Sequence, residues 1–489
     1  MCMQTPTWVH DAVFYQIFPD RFARGAASPA NPRFEPWDAP PTFTGFKGGD
    51  LWGVLERLDY LQDLGITAIY FNPIFQSAAN HRYHTHDYYR VDPLLGGDEA
   101  FRALLNEAHR RGIRIVLDGV FNHASRGFFQ FNHILENGAS SPYLSWFYVY
   151  GFPLHAYDEK HPPNYAAWWG MRALPKFNTD NPDVREFLWR VGEYWIEQGI
   201  DGWRLDVPNE ITTPGFWETF RERVKRANPE AYIVGEIWED ATPWLNNRFD
   251  AVMNYLFTKA ALGFFLGDLL DPALVEGVGY APIPALDAEA FAHSIETLLA
   301  HYPRAATFAM LNLLGSHDTP RIRTLAQGDT TRLKLALFYQ MTYPGAPCLY
   351  YGDEIGLEGG KDPDNRRGFP WGRRETWDTD FLAWTKRCIR LRHAHGALRH
   401  GEYRTLYAQG DLLAYARFTG HEVFVLALNR GAQTAVFDVP LGDLADEGAR
   451  FTDIWSGSQH LTVQNGVLPD LRLAPGSVGV WQYGMRPQV

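Results

Sequence analysis

At 489 residues, 46% of them hydrophobic, the chain is long enough for two or three domains around a large core. Its formal net charge of −12, with no Lys/Arg stripe to offset it, argues against nucleic acid as a partner. No apolar run approaches the roughly 20 residues a membrane-spanning helix needs, so no membrane partner is expected.

The start, MCMQTPTWVHDAVFYQ, lacks a basic patch followed by an apolar stretch, so no secretory leader is expected. Cys2, Cys348 and Cys388 are few, odd in number and far apart. That excludes a disulfide framework and a cysteine zinc site, and a reducing cytoplasm fits. Aromatic residues reach 15%. Most must serve packing, but sugar rings stack on aromatic faces, so the excess favours a carbohydrate ligand.

Short apolar, β-rich runs recur in chain order at 13–18 (VFYQIF), 68–71 (AIYF), 113–117 (IRIVL), 202–205 (GWRL), 232–235 (YIVG), 251–255 (AVMNY), 311–314 (LNLL) and 348–351 (CLYY). Helical spacing fills several intervals, and the segments 51–64, 100–111 and 184–198 each run into a glycine, Gly65, Gly112 and Gly199. Repeated βα units with nearly continuous apolar strands indicate a parallel sheet covered by helices. Eight such units predict an α/β fold, a (β/α)₈ barrel. Residues 124–180, rich in aromatics, Pro and Asn with little helical periodicity, read as a small subdomain inserted after the third strand. From about Gly401 the alternation of strands and turns (LLAYARF, EVFVLAL, GVWQY) reads as a separate antiparallel β domain. The expected organisation is a barrel over 1–123 and 181–400, an insert over 124–180 and a C-terminal β-sandwich over 401–489.

Catalytic groups on such a barrel gather at the carboxyl ends of the strands. The third run ends in Asp118-Gly-Val-Phe-Asn122-His123, the fourth is Gly-Trp-Arg204-Leu-Asp206, the fifth ends in Gly-Glu236-Ile-Trp238 and the seventh in Gly-Ser-His317-Asp318. Residues i and i+2 of a strand share a side, so Arg204 stands beside Asp206 and is expected to keep it ionised. Neighbouring parallel strands lie about 4.8 Å apart, close to the ~5–5.5 Å between the carboxyls of a retaining glycosidase. Asp206 is therefore assigned as nucleophile and Glu236, in an apolar setting suited to a proton donor, as general acid/base.

In these four segments the sequence resembles the α-amylase family of glycoside hydrolases, family 13. DGVFNH, GWRLDV, GEIW and GSHD match its four main motifs in order, and the likeness runs from about Trp8 to the C-terminus. The resemblance implies a barrel, an insert after the third strand and a C-terminal β domain. It also implies that Asp206 is the nucleophile, Glu236 the acid/base and Asp318 the third carboxylate, holding sugar hydroxyls and distorting the ring. Arg204, His123 and His317 resemble residues that grip the sugar at the cleavage point, and Tyr83 the tyrosine that stacks on it. Asp362 and Arg366, in DPDNR, resemble contacts to the next sugar.

LPKFN (174–178), GWRLDVPNE and GEIWEDA resemble motifs of the neopullulanase, cyclomaltodextrinase and maltogenic amylase subgroup. By that likeness Trp238, with Asn209 and Glu210 nearby, lies beside the leaving-group sugars. Two departures stand out. The first barrel strand begins at Val13, so the subgroup's extra N-terminal β domain is expected to be absent, which leaves dimerisation and cyclodextrin preference open. The loop DRFARGAASPANP lacks an alternating Asp/Asn run, so no calcium site is expected there. Pro208 also stands where the family has alanine.

His81, His84 and His86 lack an H-E-x-x-H pattern, and Gly359-Gly-Lys361 is followed by Asp362 rather than Ser or Thr, so neither a metal site nor a phosphate loop is read there. Tyr165, Trp168 and Trp169 fit a subdomain core or a sugar platform equally well. The expected activity is retaining hydrolysis of α-1,4 bonds, with α-1,6 bonds also open, in maltodextrins, cyclodextrins, pullulan or starch. No cofactor or metal is expected, the partner is the α-glucan substrate and the oligomeric state is open. The alternatives are a glucanotransferase working through the same intermediate and a non-catalytic sugar-binding protein of the same fold.

Overall fold

A computed structural model describes residues 5–28 and 31–484. Cys2, and Pro29 and Ala30 of the loop in which no calcium site was expected, lie outside the described residues. The chain divides into two compact units, one built on Ala12–Met253 with Asp362–Thr376, the other on Asn254–Lys361 with Trp377–Val489 and the short Trp8–Asp11.

In the first unit six parallel strands lie side by side: β1 (Phe14–Ile17), β2 (Ala68–Phe71), β3 (Arg114–Gly119), β4 (Gly202–Leu205), β5 (Tyr232–Gly235) and β6 (Ala251–Val252). Their register runs through Tyr15↔Ile69, Ile69↔Ile115, Asp118↔Arg204 and Leu205↔Gly235. In the second unit β7 (Leu311–Leu313) pairs in parallel with β8 (Ala346–Tyr350). Six parallel strands in one unit and two in the other make up the eight-strand complement of a (β/α)₈ barrel. Nearly every strand residue is buried, because both faces of such a sheet are covered, which is why the runs read as continuous apolar segments rather than alternating ones.

The helices follow from capping and spacing. Asp50 accepts from the Gly53 amide at 2.7 Å and starts Leu51–Glu56. The helix breaks at Arg57 and resumes as Leu58–Leu64, which buries Leu58, Leu61 and Leu64 and ends at Gly65 in the left-handed region (φ 94°). Each such leucine contributes roughly 1.5–3 kcal/mol of burial. The later helix Pro182–Glu197 starts with Pro at its first turn and an Asn181 cap, and buries Val184, Leu188, Val191 and Trp195. At Gly202 a Cβ would sit 2.3 Å from the Tyr232 carbonyl oxygen, so only glycine lets β4 approach β5 this closely.

Within residues 124–180 the chain forms one α-helix, Phe129–Asn137, where little helical periodicity was legible; burial of Phe131 and Ile134, one turn apart, holds it. The rest is 3₁₀ turns and isolated bridges, among them His123↔Lys176 and Phe147↔Phe177.

The C-terminal strands are β9 (Glu402–Gln409), β10 (Leu412–Phe418), β11 (Glu422–Asn429), β12 (Ala435–Pro440), β13 (Arg450–Asp453), β14 (His460–Thr462), β15 (Val467–Leu473) and β16 (Ser477–Gly484). They form an antiparallel sheet in the order β9-β10-β11-β16-β13-β14 and a separate pair, β12-β15. Side chains from both, including Val425, Trp481, Phe437, Val439 and Leu468, share one apolar cluster.

Candidate active site

The first unit gathers its charged groups where β3, β4 and β5 end. Arg204 is the hub. Fully buried on β4, it donates from one terminal nitrogen to both oxygens of Asp118 (2.9 and 3.0 Å) and to Asp206 Oδ1 (2.9 Å). Its other terminal nitrogen is ion-paired with Glu236 Oε2 at 2.9 Å. Asp118 and Arg204 are register partners on adjacent strands, and Asp206 and Glu236 each stand one residue beyond the pair Leu205↔Gly235. The two residues thus sit at the ends of neighbouring strands, whose backbones stand about 4.8 Å apart.

Glu236 also accepts from the Val207 amide at 3.1 Å and from the Trp238 indole N–H at 3.3 Å. Val207 makes its contact from the left-handed region (φ 35°), where a β-branched residue is strained. Pro208 follows at the first position of the 3₁₀ turn Pro208–Glu210, and its carbonyl accepts from the Trp217 indole at 3.0 Å. Proline in place of the family's alanine is thus accommodated by a turn whose first residue needs no amide donor.

Burial is the largest influence on Asp206 and drives its carboxyl well above the usual range; Arg204 opposes this, and Glu236 and Asp118 add to it. Arg204 pulls in the expected direction, towards the ionised form, but burial is the larger influence and the net shift is upward. One guanidinium serves three carboxylates, so its pull on each does not outweigh desolvation. Asp118 is likewise raised by burial against the pull of Arg204.

Asp118 was legible only as a strand-end carboxylate, yet it holds the site together. It accepts from the Tyr83 hydroxyl at 2.8 Å and the Tyr70 hydroxyl at 3.0 Å as well as from Arg204. Burial keeps both phenols well above their ordinary range, so they act as neutral donors. Asn72 donates to the Tyr83 hydroxyl (3.0 Å) and accepts from Gln16 (3.1 Å). The cross-strand register of Asp118 with Arg204 was the signal for this group, and it needed the strand pairing to be known.

His123 is buried, and burial pulls its imidazole down to about 3, so it is neutral. Its Nδ1 faces the Asn122 amide nitrogen at 3.2 Å, and its Nε2 is buried with no hydrogen-bond partner among the described residues. With Asn122 donating, Nε2 carries the hydrogen, and the Tyr83 backbone lies close enough to favour the ring's N–H against burial. Trp168 stacks on the His123 ring (5.5 Å between centroids) and Trp169 on Trp168 (4.7 Å). Of the aromatic trio, Tyr165 is core, its hydroxyl donating to the Arg172 carbonyl at 2.6 Å, whereas Trp169 is 76% exposed.

The remaining candidates fall as follows. Glu210 is ion-paired at 3.2 Å with Lys176 of the LPKFN segment, which ties that segment to the turn after β4, and Asn209 on the same turn is exposed. Asp362 pairs with Arg366 at 3.1 Å, and the Arg366 guanidinium lies over the Phe18 ring. His317 and Asp318 belong to the second unit, just beyond β7, where His317 Nε2 and Asp318 Oδ2 are 3.1 Å apart. His81, His84 and His86 lie in and beside the hairpin Phe75–Ser77/Thr85–Val91; His81 accepts from the Tyr83 amide at 3.1 Å and its ring meets His84 edge-on. Cys348 and Cys388 are buried, and neither forms a disulfide among the described residues. No helix among the described residues is long and apolar enough to cross a membrane.

A parallel (β/α)₈ sheet with acidic side chains at its strand ends, followed in the chain by an antiparallel domain, supplies the paired carboxylates that glycoside hydrolysis needs. The alpha amylase catalytic-domain family matches residues 16–380, and the neopullulanase-like C-terminal domain matches 403–482. The chain therefore belongs to the α-amylase family and is a glycoside hydrolase. A cyclomaltodextrinase from a Bacillus species is 45% identical over 431 residues, covering 87% of this chain and 74% of that protein. Among solved structures, a protein from Thermus thermophilus is 52% identical, with a TM-score of 0.92 over 97% of this chain and 99% of that one. The debranching enzyme of Nostoc punctiforme is 49% identical, with a TM-score of 0.89 over 99% of this chain and 100% of that one.

Proposed function

We propose that this protein hydrolyses α-1,4 bonds of maltodextrins, cyclodextrins, pullulan or starch with retention of configuration. The observation that carries the reading is the pair Asp206 and Glu236 at the ends of adjacent strands, both bound to the buried Arg204. Glu236 gives a proton to the glycosidic oxygen while Asp206 attacks the anomeric carbon, so the C–O bond breaks as a covalent glycosyl ester forms. Glu236 then takes a proton from water, whose oxygen attacks the same carbon and frees Asp206. By motif position Asp318 is the third carboxylate, with His317, His123, Arg204 and Tyr83 around the same sugar. The buried His123 Nε2–H suits a sugar hydroxyl. Asp362 and Arg366 contact the next sugar, and Trp238, Asn209 and Glu210 the leaving-group side. The barrel over 1–123 and 181–400 carries this chemistry, the insert over 124–180 covers it, and 401–489 forms the β-sandwich.

Action on α-1,6 bonds is a second reading, favoured by the likeness to a debranching enzyme over nearly the whole of both chains. Transfer of the glycosyl group to a sugar instead of water remains the alternative outcome of the same intermediate. The test is a chromatographic time course with β-cyclodextrin, pullulan, starch and maltotriose, alongside NMR of the product anomer. Ring opening with α product first supports the α-1,4 reading. Release of branches without ring opening supports the α-1,6 reading. Products longer than the substrate identify transfer, and initial β product rules out retention.

A further inference from the structure

Far from the strand ends in sequence, the loop His155-Ala-Tyr-Asp158-Glu-Lys-His161 brings two imidazoles and a carboxylate together. One ligand atom from each residue lies within 4.8 Å of those of the other two. We propose that His155, Asp158 and His161 bind a divalent transition-metal ion of the zinc type, with water completing the coordination.

The geometry fits that chemistry. Ligands about 2.0–2.1 Å from Zn²⁺ stand about 3.3 Å apart at the tetrahedral angle, so small shifts of the three groups suffice, with the His161–Asp158 pair opening to admit the ion and the widest separations closing. His155 Nδ1 lies 3.2 Å from the Pro162 carbonyl oxygen. A carbonyl only accepts, so Nδ1 carries the hydrogen and Nε2 keeps a free lone pair. A metal-binding histidine recurrently has its other ring nitrogen fixed in this way. His161 Nδ1 and Asp158 Oδ2 already meet at 2.5 Å.

The backbone carrying the ligands is anchored from outside the loop. Arg172 donates to the carbonyls of both Asp158 and His161. Asn164 accepts from the His155 amide at 2.8 Å and donates to the Gly151 and Pro153 carbonyls at 3.0 and 2.8 Å. An exposed His–Asp pair contributes little by itself and gives no reason for a second imidazole held within 4.8 Å of it. Imidazole nitrogen excludes calcium and magnesium, which take oxygen ligands, and selects zinc, copper, nickel or cobalt.

Protein stripped with a chelator and titrated calorimetrically with Zn²⁺ tests this, with Co²⁺ as a spectroscopic probe. The expected result is one tight site whose Co²⁺ form shows tetrahedral visible absorption. His155→Ala and His161→Ala should each weaken that site at least tenfold, while His133→Ala, at a histidine bonded to Ser141 elsewhere in the insert, binds as the parent does. Circular dichroism and an unchanged melting temperature without metal show that the variants are folded; His155→Gln serves where His155→Ala does not fold. Absence of a tight site in the parent, or parent-like affinity in either loop variant, overturns the proposal.

Discussion

Two buried arginines, Arg204 in the first unit and Arg392 in the second, are both fully withdrawn from solvent and solved differently. Arg392 faces only backbone. It donates to the carbonyls of Met341, Tyr343, Leu398, His10 and Gly345, and burial, with Arg417 and Arg399 nearby, lowers it to about 9. Arg204 faces Asp118, Asp206 and Glu236; burial works to lower it, yet the carboxylates win and hold it well above its ordinary value. Carbonyl dipoles satisfy a guanidinium without burying opposite charge, which stabilises a fold. Three carboxylates around one guanidinium leave negative charge in excess in a buried place, which costs stability and leaves reactive oxygens. The first arrangement suits a strut, the second a site that does chemistry.

Substitutions can break this contrast, and the largest effect is expected at Asp206. Asp206→Asn should lower kcat by on the order of 10⁴-fold, about 5.5 kcal/mol of barrier, while maltooligosaccharide still binds by calorimetry. Near-parent turnover would remove Asp206 from the nucleophile's role. At the strut, Arg392→Met leaves several buried carbonyls without their donor and should cost about 3 kcal/mol of stability by denaturant titration, with kcat per folded molecule unchanged. A loss of kcat without a loss of stability would reverse the roles given to the two arginines.

A finer test keeps the charge and changes its shape. Arg204→Lys offers a point charge in place of a fork spanning three carboxylates, so kcat/KM should fall roughly 10²-fold. The acid limb should also move. Asp206 must be ionised to attack, burial raises it and Arg204 opposes that rise. Activity is therefore lost as pH falls through the raised value, and the weaker lysine should shift this limb to higher pH. An unmoved limb would mean that another group sets it.

The smallest effect concerns stability. An acid whose folded value is raised favours the protonated form. Its stabilising contribution is complete below the unfolded value, about 3.9, and is lost as pH rises through the folded value. Asp206→Asn, neutral at every pH, should melt about 1–3 °C higher than the parent at pH 7, with the difference closing on acidification. A lower melting temperature at pH 7 would show that the Arg204 contact outweighs burial.

Much of this was legible in the chain. The runs at 68–71, 202–205 and 232–235 are strands over those same residues, because a doubly covered strand must be apolar throughout. The glycines at 65, 112 and 199 stand in the left-handed region after helices, a conformation that their lack of a Cβ permits. Less legible were the breaks and the exceptions. The 51–64 helix is interrupted at Arg57, and Phe129–Asn137 folds as a helix although its sequence shows little amphipathic pattern. In the second, tertiary burial of Phe131 and Ile134 decides.

The sequence alone determined the strand order, the capped helices and the carboxylates and Arg204 at the strand ends, because these depend on local spacing and on which residues can be buried. Only the tertiary structure decided how charge is shared. Asp118 becomes the anchor of Arg204, Tyr70 and Tyr83 because strand register sets it there. Asp206 is pushed up rather than down because desolvation, which has no signature in an i, i+2 spacing, outweighs one shared cation. The convergence of His155, Asp158 and His161 likewise depends on a loop path fixed by Asn164 and Arg172. Pairwise neighbours along a chain are set by covalent geometry, whereas the dielectric around them and the partners they share are set by everything packed against them.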